Sequence, residues 1–406
     1  GRGVKAADRP ADARMPTSWI NCEIRTAPLG LVHAYRASGY APALALAGRL
    51  NRYLREQFFR PDGAFISSQE APHGPIHFHA HSASLLAMVE YAREAGDDEL
   101  MAFVKRSYKV ARSEGEPLSG YFPEFISPQA YHTSELCEVA DMIALALKLS
   151  QAGAGDYWDD ADRWTRNMFA EGQLVHTDWI ARMPYAGFVP PSALPPSQFD
   201  PTSQTIERVA ERNVGAFAGW PSMNDWFVGH GIGIMHCCTG NAVRTLYQVW
   251  DAILDHAGGV LRVNLLLNRA SRWADVDSYI PYEGQVDVRI KEPLTLSVRI
   301  PEWVAPAEAR CRVNGAEREL GWDGRYALVG RVAPGDIASL TFPISERIDV
   351  VDVQKARYTL VRRGNEIVQI DPPGRYAPLY QRQHYRSDAV RWRRIERFVS
   401  DETIRW

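Results

Sequence analysis

The apolar residues of this chain repeat with one period before Gly258 and another after it, so one kind of secondary structure cannot cover the whole. From about Ala41 to His256 the spacing is helical. Leu44, Leu50, Tyr53 and Leu54 recur every three or four residues behind Pro42, which suits a first helical turn. The segments Ser82–Ala95, Asp98–Ala111, Ser134–Gln151 and Tyr157–Ala170 repeat the pattern, with Gly or Asp between them. Leu136–Leu149 is apolar on nearly every side, which predicts a helix buried all round, as in the inner ring of a helical toroid. No fixed repeat of solenoid length is present.

Beyond Gly258 the period is two. In "TLSVRI", Leu296, Val298 and Ile300 alternate with Ser297 and Arg299, which predicts a half-buried strand. "NG" at Asn314, "DG" at Asp323 and "PG" at Pro334 supply turns between short strands. The expected architecture is multidomain α and β. A helical toroid over residues 1–257 precedes an antiparallel β-sandwich over 258–350, and a tail over 351–406 holds a hairpin in "YTLVRRGNEIVQI" and packs on the rest.

A chain of 406 residues is long enough for two cores. Its formal net charge of −3 argues against a nucleic-acid or anionic-membrane surface, and no apolar run reaches the roughly 20 residues of a membrane span. The five cysteines at 22, 137, 237, 238 and 311 make no disulfide framework, which points to a reducing compartment, the cytoplasm. The chain opens at Gly1 without an initiator Met, so a processed or truncated product is expected.

Two of those cysteines, Cys237 and Cys238, are neighbours. They follow Val175–Met235, a stretch rich in Pro, Gly, Trp and His whose length suggests a functional loop. Val243, Leu246, Tyr247, Trp250, Ile253 and Leu254 then form a stripe, so a helix is expected from Thr239 or Gly240, with the pair at its positive end. In "HTSELCEVADM", Cys137 falls in the first turn of the buried helix, behind Thr133 or Ser134 as N-cap and two residues after Glu135. Glu135, Cys137, Cys237 and Cys238 together are one carboxylate and three thiols, a set suited to tetrahedral zinc. Buried structural cysteines are the competing reading.

"SELCEVADMIALALKLS", "YWDDADRWTRNMFAEGQL", "HCCTGNAVRTLYQVW" and "LSVRIPEW", in that order, resemble the β-L-arabinofuranosidase family, glycoside hydrolase family 127 and its relatives. The resemblance covers most of Ser134–Trp303. It implies an (α/α)6-type toroid, incomplete here at its N-terminus, and Zn2+ held by Glu135, Cys137, Cys237 and Cys238, with Cys237 as the glycosidic nucleophile. Thr239 and Gly240 depart from the family, which has two prolines there.

A retaining glycosidase also needs an acid/base group. The family places a glutamate upstream of Glu-x-Cys, and Glu114, Glu116 and Glu124 are the candidates here. Glu124, flanked by Phe122, Pro123 and Phe125, has the apolar neighbours that raise a carboxyl pKa. "HFHAHS" sets His77, His79 and His81 at alternate positions before a helix. His79 and His81 are expected to meet sugar hydroxyls, and Trp226 and His230 to line the substrate site. The resulting expectation is a retaining glycoside hydrolase acting on a carbohydrate, a pentose or deoxysugar of the β-L-arabinofuranoside kind. Another toroid enzyme, an unsaturated-uronide hydrolase or lyase, and a carbohydrate-binding protein with structural zinc are the alternatives. Association into a homo-oligomer stays open.

Overall fold

A computed structural model describes residues 25–67, 76–126, 133–180, 183, 198–205, 207–229 and 233–386. The first part is helical: α1 (Ala27–Ser38), α2 (Ala41–Phe58), α3 (Phe78–Ala95), α4 (Asp98–Glu114), α5 (Leu136–Gln151), α6 (Trp158–Trp164), α7 (Val209–Arg212) and α8 (His236–Ala252). Helix α1 lies ahead of the first segment that periodicity picked out. Helix α3 begins at Phe78 rather than Ser82, because its first turn carries histidines that an apolar count passes over. Thr165–Phe169 continues α6 as a π-turn.

Helix α5 is the hub. Every residue from Leu136 to Leu147 is buried, including Glu138 and Asp141, and the helix packs against α3, α4, α6 and α8. Leu145 is wholly buried in it. Leu145→Ala is expected to destabilise the chain by about 2–5 kcal/mol, because the cavity cannot collapse against neighbours on all sides. Denaturant unfolding followed by tryptophan fluorescence reads this. A loss below about 1 kcal/mol would mean that α5 is not the centre of the packing.

The strands run β1 (Ile76–His77), β2 (Phe125–Ile126), β3 (Leu254–Ala257), β4 (Val260–Val263), β5 (Arg269–Ala270), β6 (Ala274–Ser278) and β7 (Gln285–Ile290). They continue as β8 (Leu294–Arg299), β9 (Arg310–Val313), β10 (Ala316–Arg318), β11 (Gly321–Asp323), β12 (Tyr326–Val332) and β13 (Ile337–Thr341). A six-stranded sheet has the order β10-β9-β13-β7-β6-β5, and a five-stranded one the order β11-β12-β8-β4-β3. Pairing is antiparallel except between β4 and β8, which run parallel, unlike the all-antiparallel expectation. The three turn signals each join two strands. Asn314 and Gly315, at φ 52° and 82°, make the β9–β10 turn, the left-handed pair that a tight hairpin requires.

Strand β8 is not half-buried. Ser297 and Arg299 are buried as well as Leu296 and Val298, since Arg299 reaches Asp156 and Asp159 of the helical part. A third sheet, β14 (Glu346–Val353), β15 (Ala356–Arg363) and β16 (Glu366–Asp371), contains the expected hairpin and one strand more. After it the chain runs back over the loop that precedes α8. The Asp225 carboxylate accepts the backbone N–H groups of Arg375, Tyr376 and Ala377 at 2.5, 2.6 and 2.7 Å. Glu171 accepts the Tyr380 N–H at 2.7 Å and pairs with Arg382 at 2.6 Å. Among the described residues no helix is long and apolar enough to cross a membrane.

Candidate active site

The first turns of α5 and α8 meet. The backbone stays extended through Glu135 (φ −122°, ψ 131°), whose N–H is taken by the Glu138 carboxylate at 2.8 Å, and turns helical at Leu136. Glu135, rather than Thr133 or Ser134, therefore occupies the N-cap. The corner lets the Glu135 and Cys137 side chains reach one point, which residues two apart inside a helix cannot do. Helix α8 starts at His236, not at Thr239 or Gly240, so Cys237 and Cys238 lie inside its first turn. The chain before it is tied down by the Ser134 N–H to Pro221 carbonyl bond (2.9 Å) and by the Phe217 N–H to Thr239 hydroxyl bond (3.1 Å).

The structure brings Glu135, Cys137, Cys237 and Cys238 together, one ligand atom from each lying within 4.8 Å of the others, as a group that could hold a metal ion. Cys137 Sγ is 3.4 Å from Cys238 Sγ, which is 4.0 Å from Cys237 Sγ. Glu135 Oε1 lies 3.6 Å from Cys238 Sγ and 3.9 Å from Cys237 Sγ. All are free thiols. Cys137 and Cys238 are wholly buried, and of these three sulfurs only Cys237 belongs to a residue that reaches solvent. Hydrogen bonds from Cys137 and Cys238, assisted by the backbone, hold the Cys237 thiol well below its usual range. Its partner Cys137 is pushed up by those same bonds and by burial.

Beside this cluster stands another, His77, Glu124 and Glu135, again within 4.8 Å. The β1–β2 ladder makes it, pairing His77 with Phe125 next to Glu124. His77 Nε2 lies 3.0 Å from Glu135 Oε2. Burial, with the Glu135 charge added, raises the Glu124 carboxyl to about 7. The other two glutamates are placed differently. Glu114 ends α4 in solvent, and the buried Glu116 spends its carboxylate on the N–H groups of Leu118 (2.9 Å) and Ser119 (2.7 Å).

His79 sits beside His77, with ring centroids 5.9 Å apart, and its Nδ1 meets Asp141 at 2.7 Å. His81 does not join them. Its nitrogens face the carbonyls of His77 (2.7 Å) and Ile66 (2.9 Å), its ring stacks on Phe65, and burial drives its pKa to about 3. The sequence expectation of a sugar contact there gives way to a core role: two residues along α3 from His79, its side chain turns to the opposite, apolar side. Trp226 likewise is buried, donates its indole N–H to the Gly172 carbonyl at 2.9 Å and packs on Trp179. His230 lies outside the described residues.

Sequence reasoning names His77 but assigns the sugar contacts to His79 and His81, and it passes over Asp141 and Arg244. Asp141 had a visible signal, being a carboxylate in the middle of a helix apolar on every side.

No protein-family model matches the chain, and no curated protein sequence does. Solved structures do. A GH127 β-L-arabinofuranosidase from Geobacillus stearothermophilus T6 aligns over 84% of this chain and 57% of its own, with TM-score 0.55 and 18% identity. A second GH127 enzyme, a β-arabinofuranosidase, aligns over 84% and 55%, with TM-score 0.60 and 16% identity. A further glycoside hydrolase aligns over 88% and 62%, with TM-score 0.60 and 14% identity. The chain thus spans between 55% and 62% of the length of these relatives. In fold, this chain resembles the β-L-arabinofuranosidases of glycoside hydrolase family 127.

Proposed function

We propose that the chain is a retaining glycoside hydrolase with Cys237 as nucleophile and Glu124 as acid/base, releasing a β-L-arabinofuranoside-like pentose or deoxysugar from glycans. Its helices would belong to an (α/α)6-type toroid and its two larger sheets to a β-sandwich. The observation that carries the reading is the meeting of Glu135, Cys137, Cys237 and Cys238, with only Cys237 of the three cysteines reaching solvent, and the sharing of Glu135 with a second group that holds Glu124. The substrate class comes from the GH127 relatives named above.

Zinc is the metal that suits the four ligands. Tetrahedral bonds of about 2.3 Å to sulfur and about 2.1 Å to oxygen put the ligand atoms about 3.6–3.8 Å apart. The separations of 3.4, 4.0, 3.6 and 3.9 Å bracket those values. Bound there, zinc would keep the thiols deprotonated at neutral pH.

The residues then divide the chemistry. The Cys237 sulfur attacks the anomeric carbon as the bond to the leaving oxygen breaks, and Glu124 gives that oxygen its proton. The sugar is left on Cys237. Glu124, now ionised, takes a proton from water as the water attacks the same carbon, and the S–C bond breaks to restore the thiolate. Two inversions give net retention. A carboxyl titrating near neutrality can serve in both directions. The N-terminal ends of α5 and α8 supply partial positive charge to the thiolate throughout.

A panel of aryl glycosides assayed against the purified protein tests the substrate class, with L-arabinofuranosides expected to turn over. Glu124→Gln should cut turnover by about 10²–10⁴-fold for poor leaving groups and far less for activated aryl glycosides, which need little protonation. If Glu116→Gln shows that pattern and Glu124→Gln does not, Glu124 is not the acid/base. No turnover anywhere on the panel, with metal bound, would favour a binding protein whose closed four-ligand zinc is structural.

A further inference from the structure

Asp141 is buried to 1% exposure on α5, among Val139, Ala140, Met142 and Ile143. A carboxylate there persists only if its oxygens are met by donors. Asp141 Oδ2 accepts from His79 Nδ1 at 2.7 Å and from the Ser82 hydroxyl at 2.9 Å, both on α3. Asp141 Oδ1 accepts from the Arg244 guanidinium at 3.1 Å, on α8. One side chain thus ties together the three helices whose N-terminal turns or flanking residues carry His77, His79, Glu135, Cys137, Cys237 and Cys238.

Proton bookkeeping adds a second consequence. An ionised carboxylate has no hydrogen to give, so the short contact to His79 requires the hydrogen on Nδ1. In the neutral ring Nε2 is then the acceptor, and the ring cannot rotate without breaking the contact. The His79 ring stands 5.9 Å, centroid to centroid, from that of His77, whose Nε2 lies 3.0 Å from Glu135 Oε2, so it borders the cluster.

We propose that Asp141 is a positioning residue. Through His79 it selects the tautomer and ring angle offered beside His77 and Glu135, and through Ser82 and Arg244 it holds α3 and α8 in register against α5. The proposal deepens the reading of Cys237 as nucleophile and rests on it for its kinetic part. Its tautomer part does not.

The experiment has two arms. In the first, ¹⁵N-histidine NMR of the purified protein without substrate identifies His79, one of eleven histidines, by comparison with His79→Ala. The Nδ1-protonated tautomer is expected in the wild type and the Nε2-protonated one in Asp141→Asn, whose amide can turn an N–H toward the ring. A wild-type His79 with no hydrogen on Nδ1 overturns the proposal, and this result needs no Asp141 variant to fold.

In the second arm, Asp141→Asn should lower kcat about 10–100-fold with KM changed less than about threefold, the size usual for residues that orient a site through another. The same substitution in a His79→Ala background should cost less than about threefold more. Independent, multiplicative losses would show that Asp141 does not act through His79. If the wild-type tautomer is as stated while Cys237→Ser retains activity, the nucleophile reading fails and the positioning of His79 stands.

Discussion

Cys237→Ser is expected to abolish glycoside hydrolysis, by at least about 10³-fold in kcat/KM, while near-UV circular dichroism stays that of the wild type. The reason is the ionisation of the attacking atom. The Cys237 sulfur sits in the first turn of α8, grouped with Cys137, Cys238 and Glu135, where the helix N-terminus, and zinc when bound, favour the thiolate. A serine hydroxyl there is both a poorer donor of electrons at neutral pH and a poorer zinc ligand. A slow or activated substrate should leave a sugar on the peptide carrying Cys237, seen by intact and peptide mass spectrometry. Retained hydrolysis in Cys237→Ser, or an adduct on a carboxylate, would rule out the thiolate mechanism and favour a different toroid chemistry.

Elemental analysis of protein purified without chelator should give one zinc per chain, and its removal should lower the unfolding temperature by many degrees. Apparent binding energies for thiolate-rich structural zinc are on the order of 10 kcal/mol at neutral pH, and binding to the native state alone adds directly to its stability. Cys238→Ser is expected to lose most of that metal and stability, because its buried sulfur touches both Cys137 and Glu135. Acid should act in the same direction. Each ligand must be deprotonated to bind, so affinity falls as pH falls, and chelator should strip the metal faster at pH 5 than at pH 8. Metal-free protein joined by a Cys137–Cys237 disulfide, as judged by thiol titration, would overturn the metal site.

Much of the candidate site is legible in the sequence. Glu135, Cys137, Cys237 and Cys238 stand out because thiols at helix entries are rare in a chain with five cysteines, and they meet. Glu124 stands out for its apolar neighbours, and burial raises its carboxyl. What failed did so for a physical reason. "HFHAHS" sets three imidazoles at alternate positions, but the helix begins at Phe78, so His79 and His81 lie on different faces and only His79 of those two lies beside His77. Ser297 and Arg299 read as solvent-facing because a single sequence does not show that a helix will cover that face of β8. Asp141 is visible as a carboxylate in the middle of an apolar helix, but such a run is read for what it buries and not for the charges inside it.

The strap held by Asp225 has a consequence for how the molecule is made. The loop that delivers the chain to Cys237 finds its partners in Arg375, Tyr376 and Ala377, about 150 residues later in the order of synthesis. Helices α3, α5 and α8 emerge from the ribosome first, with the ligands already on them and the loop tied to them through Pro221 and Thr239, yet the turn at Asp225 lacks its strap until both large sheets and the third have been made. A nascent chain arrested before Pro372 should therefore carry all four ligands but protect Cys237 less well from alkylation than the full chain does.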